Sequence, residues 1–284
     1  MPPSKSTATS ADGTRLAVYT YGDRGVPVLV CVHGYPDNAA LWEPVAELLA
    51  DDFQVITYDV RGAGESDHPS STSAYTLDRL QEDFRAVIDQ VSPDHPVHVL
   101  AHDWGSIQSW HFVTDPSLQD RIASFVSISG PSLDHAGYFI RRRNRAALKQ
   151  LLHSWYIFYF HLPRLPERGW RKGWARSVFN RLEKQHKNDN RTAADYINGM
   201  KLYRANVLPR LLRPAQRRTG VPVLAVSPDN DPFVTTPLQT DVGRWAPNLS
   251  VKVVRGGHWM PRNDPGLVAD LVREHTSQVA RWET

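Results

Sequence analysis

Residues 99–105, Val-Leu-Ala-His-Asp-Trp-Gly, constrain the fold of this chain more than any other stretch. They follow an apolar run typical of a strand and precede residues 106–114, whose composition predicts a helix. Ala101 and Gly105 flank Asp103, and a nucleophile between two small residues is the pattern of a sharp turn from a strand into a helix. The flanking residues have to be small because the backbones pass close together there. A serine usually stands at the apex, so Asp103 favours displacement at a strained or activated carbon over acyl transfer.

Composition sets the outer bounds of the molecule. The chain has 284 residues, 41% of them hydrophobic, which is enough for one large domain with an inserted subdomain. Its single cysteine, Cys31, excludes an internal disulfide and lies in an apolar run that predicts a buried, inert thiol. Residues 1–13 are polar, lack the apolar stretch of a secretory signal and are expected to be frayed. Since no apolar run approaches about 18 residues, we expect a cytoplasmic protein without a membrane-spanning helix.

Apolar runs and helical patterns alternate along the chain, which favours an α/β fold with a mostly parallel sheet and helices on both faces. The predicted strands are residues 16–21, 26–32, 53–58, 97–100, 122–127, 221–226 and 250–254. The predicted helices outside the central segment are residues 39–50, 76–91, 106–114 and 266–279. We therefore assign residues 1–133 and 219–284 to an α/β core and residues 134–218 to an inserted helical cap, or lid.

Charge distinguishes the cap segment from the rest. Between Gly137 and Arg218 there are 20 Lys and Arg against 4 Asp and Glu, out of 33 and 30 in the whole chain. A cap inserted after the middle strands should lie over their carboxyl ends, where α/β folds form their sites. Its basic residues, with Trp155, Trp170 and Trp174 nearby, fit either a solvated face or peripheral contact with an anionic membrane. Charge alone would also allow nucleic-acid binding, but no motif supports it and we expect none.

A second motif, residues 33–36 with the sequence His-Gly-Tyr-Pro, directly follows the strand predicted at 26–32. The glycine lets this loop turn its backbone N–H groups toward the apex at Asp103. The N–H of Tyr35 and the N–H of Trp104 would then form an oxyanion hole.

Two more polar residues follow the last two predicted strands. Asp231 comes after residues 221–226, and His258 comes after residues 250–254. Nucleophile, acid and histidine, in that order along the chain, is the order found in α/β-hydrolases. Asp229 and, less favourably, Asp134 are alternatives for the acid.

These motifs together resemble those of α/β-hydrolase-fold epoxide hydrolases, and the resemblance covers nearly the whole chain. Residues 59–66, Asp-Val-Arg-Gly-Ala-Gly-Glu-Ser, are similar to the family's Gly-rich turn, and residues 231–234 to the surroundings of its acid. In detail the chain resembles the hydrolase part of mycobacterial proteins that join an epoxide hydrolase to a short-chain dehydrogenase. The resemblance implies that such a dehydrogenase domain is joined to this chain in a longer protein. No dinucleotide fingerprint occurs here.

The resemblance also implies two cap tyrosines that donate to the epoxide oxygen. Residues 155–161 resemble the family's first lid motif and give Tyr156, and residues 200–206 resemble the second and give Tyr203. An epoxide oxygen leaves as an alkoxide, so phenol donors stabilise its charge as it develops. Tyr159 is an alternative to Tyr156, and simple packing is the alternative role for both lid residues.

The implied reaction converts an apolar epoxide into a vicinal diol. Asp103 attacks an epoxide carbon and forms an ester, and His258, oriented by Asp231, activates the water that hydrolyses this ester. The reaction requires neither a metal nor an organic cofactor. Because Asp103 must be ionised and His258 neutral, activity is expected to fall at acid pH.

Two other functions remain open from the sequence. A haloalkane-type dehalogenase uses the same aspartate elbow, and Trp104 could bind its halide. Against this, Tyr35 stands where many of those enzymes have a halide-binding asparagine, and lid tyrosines favour an epoxide. A non-catalytic binding protein with a hydrolase fold is the second alternative, and the complete set of candidate residues argues against it. The sequence leaves the oligomeric state open.

Overall fold

Within the residues that the structure describes, 2–183 and 191–282 of a computed structural model, eight strands form one sheet. They are β1 (Ser4–Thr9), β2 (Arg15–Tyr21), β3 (Val28–Val32), β4 (Gln54–Tyr58), β5 (Val97–His102), β6 (Ile122–Ile128), β7 (Val223–Pro228) and β8 (Leu249–Val254). Their order across the sheet is β1-β2-β4-β3-β5-β6-β7-β8, with β2 antiparallel to both neighbours and the others parallel. The predicted α/β class with a mostly parallel sheet is confirmed.

The centre of the sheet is buried on both faces. Every residue of β3 and of β4 is buried, which explains why β3 reads as a continuous apolar run. β5 lies between β3 and β6, with Leu100 paired to Cys31 on one side and to Val126 on the other. The residue that follows β5 is therefore held at the middle of the carboxyl edge of the sheet.

The helices and helical turns of the described residues occupy the connections between the strands. They are α1 (Glu43–Leu49), α2 (Leu77–Val91), α3 (Trp104–Val113), α4 (Leu133–Arg141), α5 (Arg145–His153), α6 (Trp155–His161), α7 (Leu165–Arg171), α8 (Trp174–Glu183), α9 (Ala193–Leu212), α10 (Thr236–Thr240), α11 (Met260–Asn263) and α12 (Pro265–Trp282). Three 3₁₀ turns accompany them at Ala39–Trp42, Thr72–Tyr75 and Gln119–Arg121. The helix predicted over residues 39–50 is thus a 3₁₀ turn followed by α1.

Amphipathic spacing positions α2 against the sheet. Its apolar stripe, spaced by three and four residues, is fully buried: Leu77, Leu80, Phe84, Val87 and Ile88. Phe84 stacks on Phe112 of α3, with ring centroids 4.7 Å apart. This packing fixes α3, the helix that begins at the sharp turn after β5.

The helices α4 to α9 separate β6 from β7, and we call this segment the helical cap. Buried amide side chains hold it to the rest of the molecule. The Asn206 side chain of α9 accepts from the N–H of Leu77 and donates to the carbonyl of Tyr75, both at 2.8 Å. The Gln150 side chain of α5 accepts from the N–H of Thr235 at 2.9 Å. The cap is therefore tied to the core on both sides of the sheet's carboxyl edge.

The expectation of a frayed N-terminus is wrong. Ser4–Thr9 forms the edge strand β1, which pairs antiparallel with β2 from Ser4↔Thr20 to Thr9↔Arg15. Five of its six side chains are not buried, because an edge strand can leave its side chains in water while its backbone is paired. The polar composition of this segment is therefore that of an exposed edge strand and does not indicate fraying.

Two expectations from composition can be compared directly with the fold. Cys31 is buried in β3, as predicted, and burial raises the pKa of its thiol, so that the reactive thiolate is disfavoured. Among the residues that the structure describes, no helix combines the length and the apolar character that crossing a membrane requires.

Candidate active site

The turn between β5 and α3 holds Asp103 in a strained conformation. Its φ of 52° and ψ of −123° lie outside the regions that non-glycine residues usually occupy, at a cost of about 1–3 kcal/mol. The N–H of Asp103 donates to the carbonyl of Ile128 at 3.0 Å, and its carbonyl accepts from the N–H of Ile107 at 2.9 Å. The carboxylate is therefore held on a rigid apex above the carboxyl edge of the sheet.

Three glycines allow the neighbouring backbones to approach the turn at Asp103. A Cβ atom on Gly34 would lie 2.5 Å from Oδ1 of Asp103, and one on Gly130 would lie 2.2 Å from its carbonyl oxygen. A Cβ atom on Gly105 would lie 2.0 Å from the carbonyl oxygen of Val32. Side chains at these positions would clash with backbone atoms, which gives the small residues of the sequence pattern their physical reason.

The loop after β3 supplies a backbone donor to the carboxylate. The N–H of Tyr35 donates to Oδ1 of Asp103 at 2.7 Å. Trp104 is the first residue of α3, so its N–H belongs to the group that has no acceptor inside the helix. These are the two residues whose N–H groups were predicted to form an oxyanion hole.

His33 holds this loop in shape, a role that the sequence analysis missed. The N–H of Val60 donates to its Nε2 at 2.9 Å, so the ring proton lies on Nδ1. Nδ1–H then donates to the carbonyl of Gly34 at 3.0 Å. The ring is buried and links the loop after β3 to the loop after β4. The one sign of this role in the sequence is that His33 lies directly beside the predicted oxyanion hole.

His258 contacts both predicted carboxylates. Its Nδ1 bonds to Oδ2 of Asp231 at 2.8 Å, and its Nε2 lies 3.5 Å from Oδ2 of Asp103. The second oxygen of Asp231 accepts from the N–H groups of Phe233 at 2.8 Å and Val234 at 3.0 Å. Burial raises the pKa of Asp231, but the charge of His258 and these hydrogen bonds outweigh it and lower the pKa. Asp231 is thus an ionised, fixed partner for the imidazole.

The two carboxylates also govern the protonation of His258. Burial lowers the pKa of His258, but the charge of Asp231 and the contacts with Asp103 outweigh burial and raise it to about 10. The raised pKa favours the protonated imidazole at neutral pH. The histidine that the sequence analysis expected to be neutral carries a proton in the resting site.

Tyr156 of α6 and Tyr203 of α9 meet above Asp103. Their ring centroids lie 5.9 Å apart at an interplanar angle of 83°, and both side chains are buried. Burial raises the pKa of each phenol, and the Asp103 carboxylate adds to the shift in both. Both hydroxyls are therefore protonated and can donate.

One small cavity connects these groups. It has a volume of about 10 Å³, which is room for roughly one water molecule. Its lining residues are Tyr35, Pro36, Asp103, Tyr156, Tyr203, Phe233, His258 and Trp259. The nucleophile, the histidine and both cap tyrosines thus face the same enclosed space.

The alternatives that the sequence left open lie elsewhere. The hydroxyl of Tyr159 lies beside Gly169, where an added Cβ would be 2.6 Å from it. Asp229 accepts from the N–H of Gly256 at 3.1 Å, and Asp134 accepts from the N–H of Ala215 at 2.7 Å. None of the three lines the cavity that contains Asp103.

Asp37 is a buried anion that the sequence analysis missed. It accepts from Nε1 of Trp259 at 3.0 Å and from Arg262 at 2.8 Å, and Arg191 of the cap segment lies 3.7 Å away. Burial raises the pKa of Asp37, but the two guanidinium charges outweigh it and lower the pKa. Asp37 therefore joins the loop after β3, the loop that carries His258 and the cap. Its only signal in the sequence is its place directly after residues 33–36.

His102, the last residue of β5, supports the same loop. Its Nε2 lies 2.8 Å from the carbonyl oxygen of His258, and burial together with the His258 charge lowers the pKa of His102 to about 4. The ring is therefore neutral and donates through Nε2 to that carbonyl. It contacts the backbone of the catalytic candidate rather than the cavity.

Among the described residues, no group of three or more His, Cys, Asp or Glu side chains is arranged to hold a metal ion. The titratable groups of the site are instead paired with one another or with backbone N–H groups.

Several known proteins are similar to this chain. Residues 27–261 match the family model described as alpha/beta hydrolase fold. The chain is 35% identical to the probable oxidoreductase EphD of Mycobacterium tuberculosis, over 93% of this chain and 48% of that protein. It is 34% identical to epoxide hydrolase A of the same organism, over 54% of this chain and 46% of that one. The chain thus spans about half the length of EphD.

Solved structures add a likeness of fold. An epoxide hydrolase of Bacillus megaterium in complex with an inhibitor superposes with a TM-score of 0.80 and 20% sequence identity. The match covers 96% of this chain and 100% of that chain. At this identity the likeness concerns the fold alone.

Proposed function

The chain belongs to the α/β-hydrolase fold family, and on that premise we propose that it is an epoxide hydrolase. It opens an apolar epoxide to a vicinal diol through a covalent ester on Asp103. Residues 134–218 act as the cap domain over the core formed by residues 1–133 and 219–284. The names of two similar proteins, epoxide hydrolase A and the Bacillus megaterium enzyme, support the substrate class.

One observation carries the proposal: two buried phenols and a buried carboxylate share one cavity. Tyr156 and Tyr203 are protonated donors, and Asp103 is an acceptor on a strained apex. A substrate that suits this set has an electrophilic carbon next to an oxygen that gains charge as its bond breaks. Epoxides have both, and a halide leaving group would gain little from two phenols.

In the first step, one oxygen of Asp103 attacks an epoxide carbon. Oδ1 already accepts from the N–H of Tyr35, so Oδ2 is the attacking atom. The carbon–oxygen bond of the epoxide breaks, and the oxygen takes a proton from Tyr156 or Tyr203. The phenolate recovers its proton from the His258 imidazolium, directly or through solvent. The products are an uncharged alkyl ester on Asp103 and a neutral His258.

Loss of the Asp103 charge makes His258 a base at the moment when one is needed. The contact with Asp231 remains in the ester, but the charge of Asp103, which also raised the pKa of His258, is gone, so this pKa falls. His258 then takes a proton from water, and the hydroxide adds to the ester carbonyl. The oxyanion forms on Oδ1, which the Tyr35 N–H already contacts, and the Trp104 N–H is the second donor that we assign to it.

Collapse of this intermediate breaks the bond between the carbonyl carbon and Oδ2. The leaving alkoxide takes the proton from His258 and departs as the diol. The new carboxylic acid of Asp103 then returns a proton to His258, which restores the ion pair. The net reaction is the addition of one water to the epoxide.

Single turnover in ¹⁸O-labelled water tests this mechanism. With enzyme in excess over a fluorogenic or aryl epoxide, the first diol should carry unlabelled oxygen, because its new oxygen comes from Asp103. The label should appear in the Asp103 side chain, located by mass spectrometry of the digested protein. Label in the first diol and none in Asp103 would mean direct attack by water and would overturn the covalent mechanism.

A dehalogenase is the second candidate, and one observation favours it. The indole nitrogen of Trp104 is buried and forms no hydrogen bond of normal geometry with any residue that the structure describes, and its interaction with the Tyr203 phenol acts to lower the pKa of that phenol. Such a donor next to Asp103 could bind a halide ion. A panel of lipid epoxides, aryl epoxides and haloalkanes discriminates the two functions, and halide release without epoxide turnover would favour the second. A non-catalytic binding protein predicts no turnover of any of them.

The name of EphD refers to an oxidoreductase, and the chain corresponds to about half of that protein. We infer that the oxidoreductase function belongs to the part of EphD beyond the match, since no dinucleotide fingerprint occurs in this chain. Any dehydrogenase domain joined to this chain would have its own active site. The epoxide chemistry proposed here needs only the residues named above.

A further inference from the structure

The outer face of the cap carries a row of exposed apolar side chains. Those on α5 and α6 recur at spacings of three and four residues, which puts them on one side of each helix, and the last of the row directly follows α6. They are Leu148, Leu151, Leu152, Trp155, Phe158 and Leu162, and we call them the apolar row. Leu152 is 69% exposed and Phe158 is 63% exposed, so these side chains lie on the surface and are not partly exposed core residues.

Helix α6 is apolar on both sides. Tyr156 lines the cavity and Phe160 packs on the ring of Tyr203, both buried, whereas Trp155 and Phe158 are exposed. A helix that is apolar around its whole circumference belongs in an environment that is apolar on both sides. A contiguous apolar surface of this kind marks a place where another apolar body binds.

Basic residues surround the apolar row. Residues 141–178 contain ten Lys and Arg and one acidic residue, Glu167. Glu167 is already paired with Arg204 at 2.6 Å. Seven of the ten side chains form neither an ion pair nor a hydrogen bond with any residue that the structure describes, and all seven are exposed: Arg143, Arg145, Lys149, Arg164, Arg168, Arg171 and Lys172. The apolar row is therefore bordered by uncompensated positive charge.

We propose that the apolar row and its basic border bind the surface of an anionic lipid bilayer. Exposed Leu, Trp and Phe side chains enter the boundary between headgroups and acyl chains, and Lys and Arg contact the anionic headgroups. A second copy of the chain is a poor occupant, because two copies facing each other would bring two basic borders together. The positive charge requires an anionic partner, and the apolar row requires one with an apolar interior.

Vesicle co-sedimentation of the 284-residue chain tests this surface. Binding is expected to vesicles of phosphatidylcholine mixed with phosphatidylglycerol, to weaken with added salt, and to be absent with phosphatidylcholine alone. Leu152→Ser combined with Phe158→Ser removes two anchors outside the site and should lower the partition coefficient about tenfold or more. Arg145→Glu combined with Lys149→Glu should lower it by at least about tenfold.

Matched controls come from the core of the same chain. Val251→Ser with Val253→Ser removes two exposed apolar side chains of β8, and Arg24→Glu with Arg255→Glu reverses two exposed charges. Both controls should bind the anionic vesicles as the wild type does. Equal losses in the controls and in the cap variants, or equal binding to both kinds of vesicle, would overturn the proposal.

A measurement on the wild type keeps the test independent of how the variants fold. Amide hydrogen exchange of peptides covering residues 145–165 should slow when anionic vesicles are added, while peptides covering residues 249–255 stay unchanged. A monomer–dimer equilibrium that Leu152→Ser with Phe158→Ser abolishes, without vesicle binding by the wild type, would assign the row to a second copy instead. Binding of a soluble acidic protein but of no vesicle would likewise refute a lipid partner.

Discussion

Oδ2 of Asp103 lies 3.5 Å from Nε2 of His258, whereas Oδ1 of the same carboxylate accepts from the N–H of Tyr35 at 2.7 Å. The two oxygens of the proposed nucleophile are thus held unequally. The tightly held oxygen suits the carbonyl of an ester, which must stay in the oxyanion hole. The loosely held one suits attack, because a close hydrogen bond would have to break before the carbon could approach.

Asp103→Asn should abolish epoxide turnover, with a loss of at least about a thousandfold in kcat/KM. An amide is isosteric with the carboxylate but cannot open the ring as an anionic nucleophile. The measurement is diol formation, with thermal unfolding to check the fold. Asp229→Asn is the matched control, since that carboxylate contacts a nearby backbone N–H outside the cavity and should leave turnover intact.

His258→Gln should separate the two half-reactions. Attack by Asp103 does not need a base, but hydrolysis of the ester does. A stoichiometric adduct of the epoxide should therefore accumulate, and peptide mass spectrometry should locate it on Asp103. An inactive variant that carries no adduct after long incubation would remove the covalent mechanism.

Tyr156→Phe and Tyr203→Phe should each reduce epoxide opening about a hundredfold, as expected for losing one donor to a developing oxyanion. The double variant should be inactive toward epoxides while its thermal unfolding midpoint stays near that of the wild type. Tyr159→Phe is the control on the same helix, because its hydroxyl lies near Gly169 and outside the cavity. Full activity in the double variant would show that these phenols serve only for packing.

The pH dependence should differ between the half-reactions. His258 is protonated in the resting enzyme, where its pKa is raised to about 10, and its pKa falls once the ester removes the charge of Asp103. Hydrolysis of the ester needs the neutral imidazole of His258. The rate of hydrolysis should therefore rise as the pH rises through the pKa that His258 has in the ester state. Below about pH 6 even the wild type should accumulate the ester, as acid quenching and mass spectrometry can detect. If turnover falls at acid pH and no ester accumulates on Asp103, the pH effect acts on the attack step instead.

Asp37→Ala should lower the free energy of unfolding by about 3–5 kcal/mol, because it leaves buried guanidinium charge without its partner. The pKa of Asp37 is lowered in the fold, so its contribution is present above about pH 4 and lost as pH falls through the folded pKa. Asp52→Ala removes an exposed pair with Arg273 and should cost less than about 1 kcal/mol. Urea unfolding measures both, and equal effects would contradict the assignment of Asp37 as a buried anchor.

Local patterns were sufficient for most of the fold and for the central part of the site. The apolar run at β3 and the stripe on α2 appear in the sequence because their burial depends on neighbours at fixed spacings. The elbow at Asp103 could be located for the same reason, since its flanking small residues lie within the motif. β1 was missed because an edge strand needs no apolar alternation.

Contacts between distant segments could not be predicted. Asp37 can be recognised as a buried, paired carboxylate only once Trp259, Arg262 and Arg191 are seen to contact it. All three are more than 150 positions away in the sequence. Nor could spacing decide between Asp229 and Asp231, because both follow β7 on one loop and only the backbone course brings one of them to His258. The sequence spacing limits the candidate acids to the loop after β7, and only the packed structure shows which of them contacts His258.

Helix α6 has consequences for anyone who redesigns this protein. Seven residues supply both a wall of the cavity, through Tyr156, and part of the exposed apolar row, through Trp155 and Phe158. Exchanging the helix for that of another enzyme would alter substrate range and surface adsorption together. Library positions for selectivity are therefore better chosen on α9 and on the loop after β7, which contact the same cavity and lie outside the apolar row.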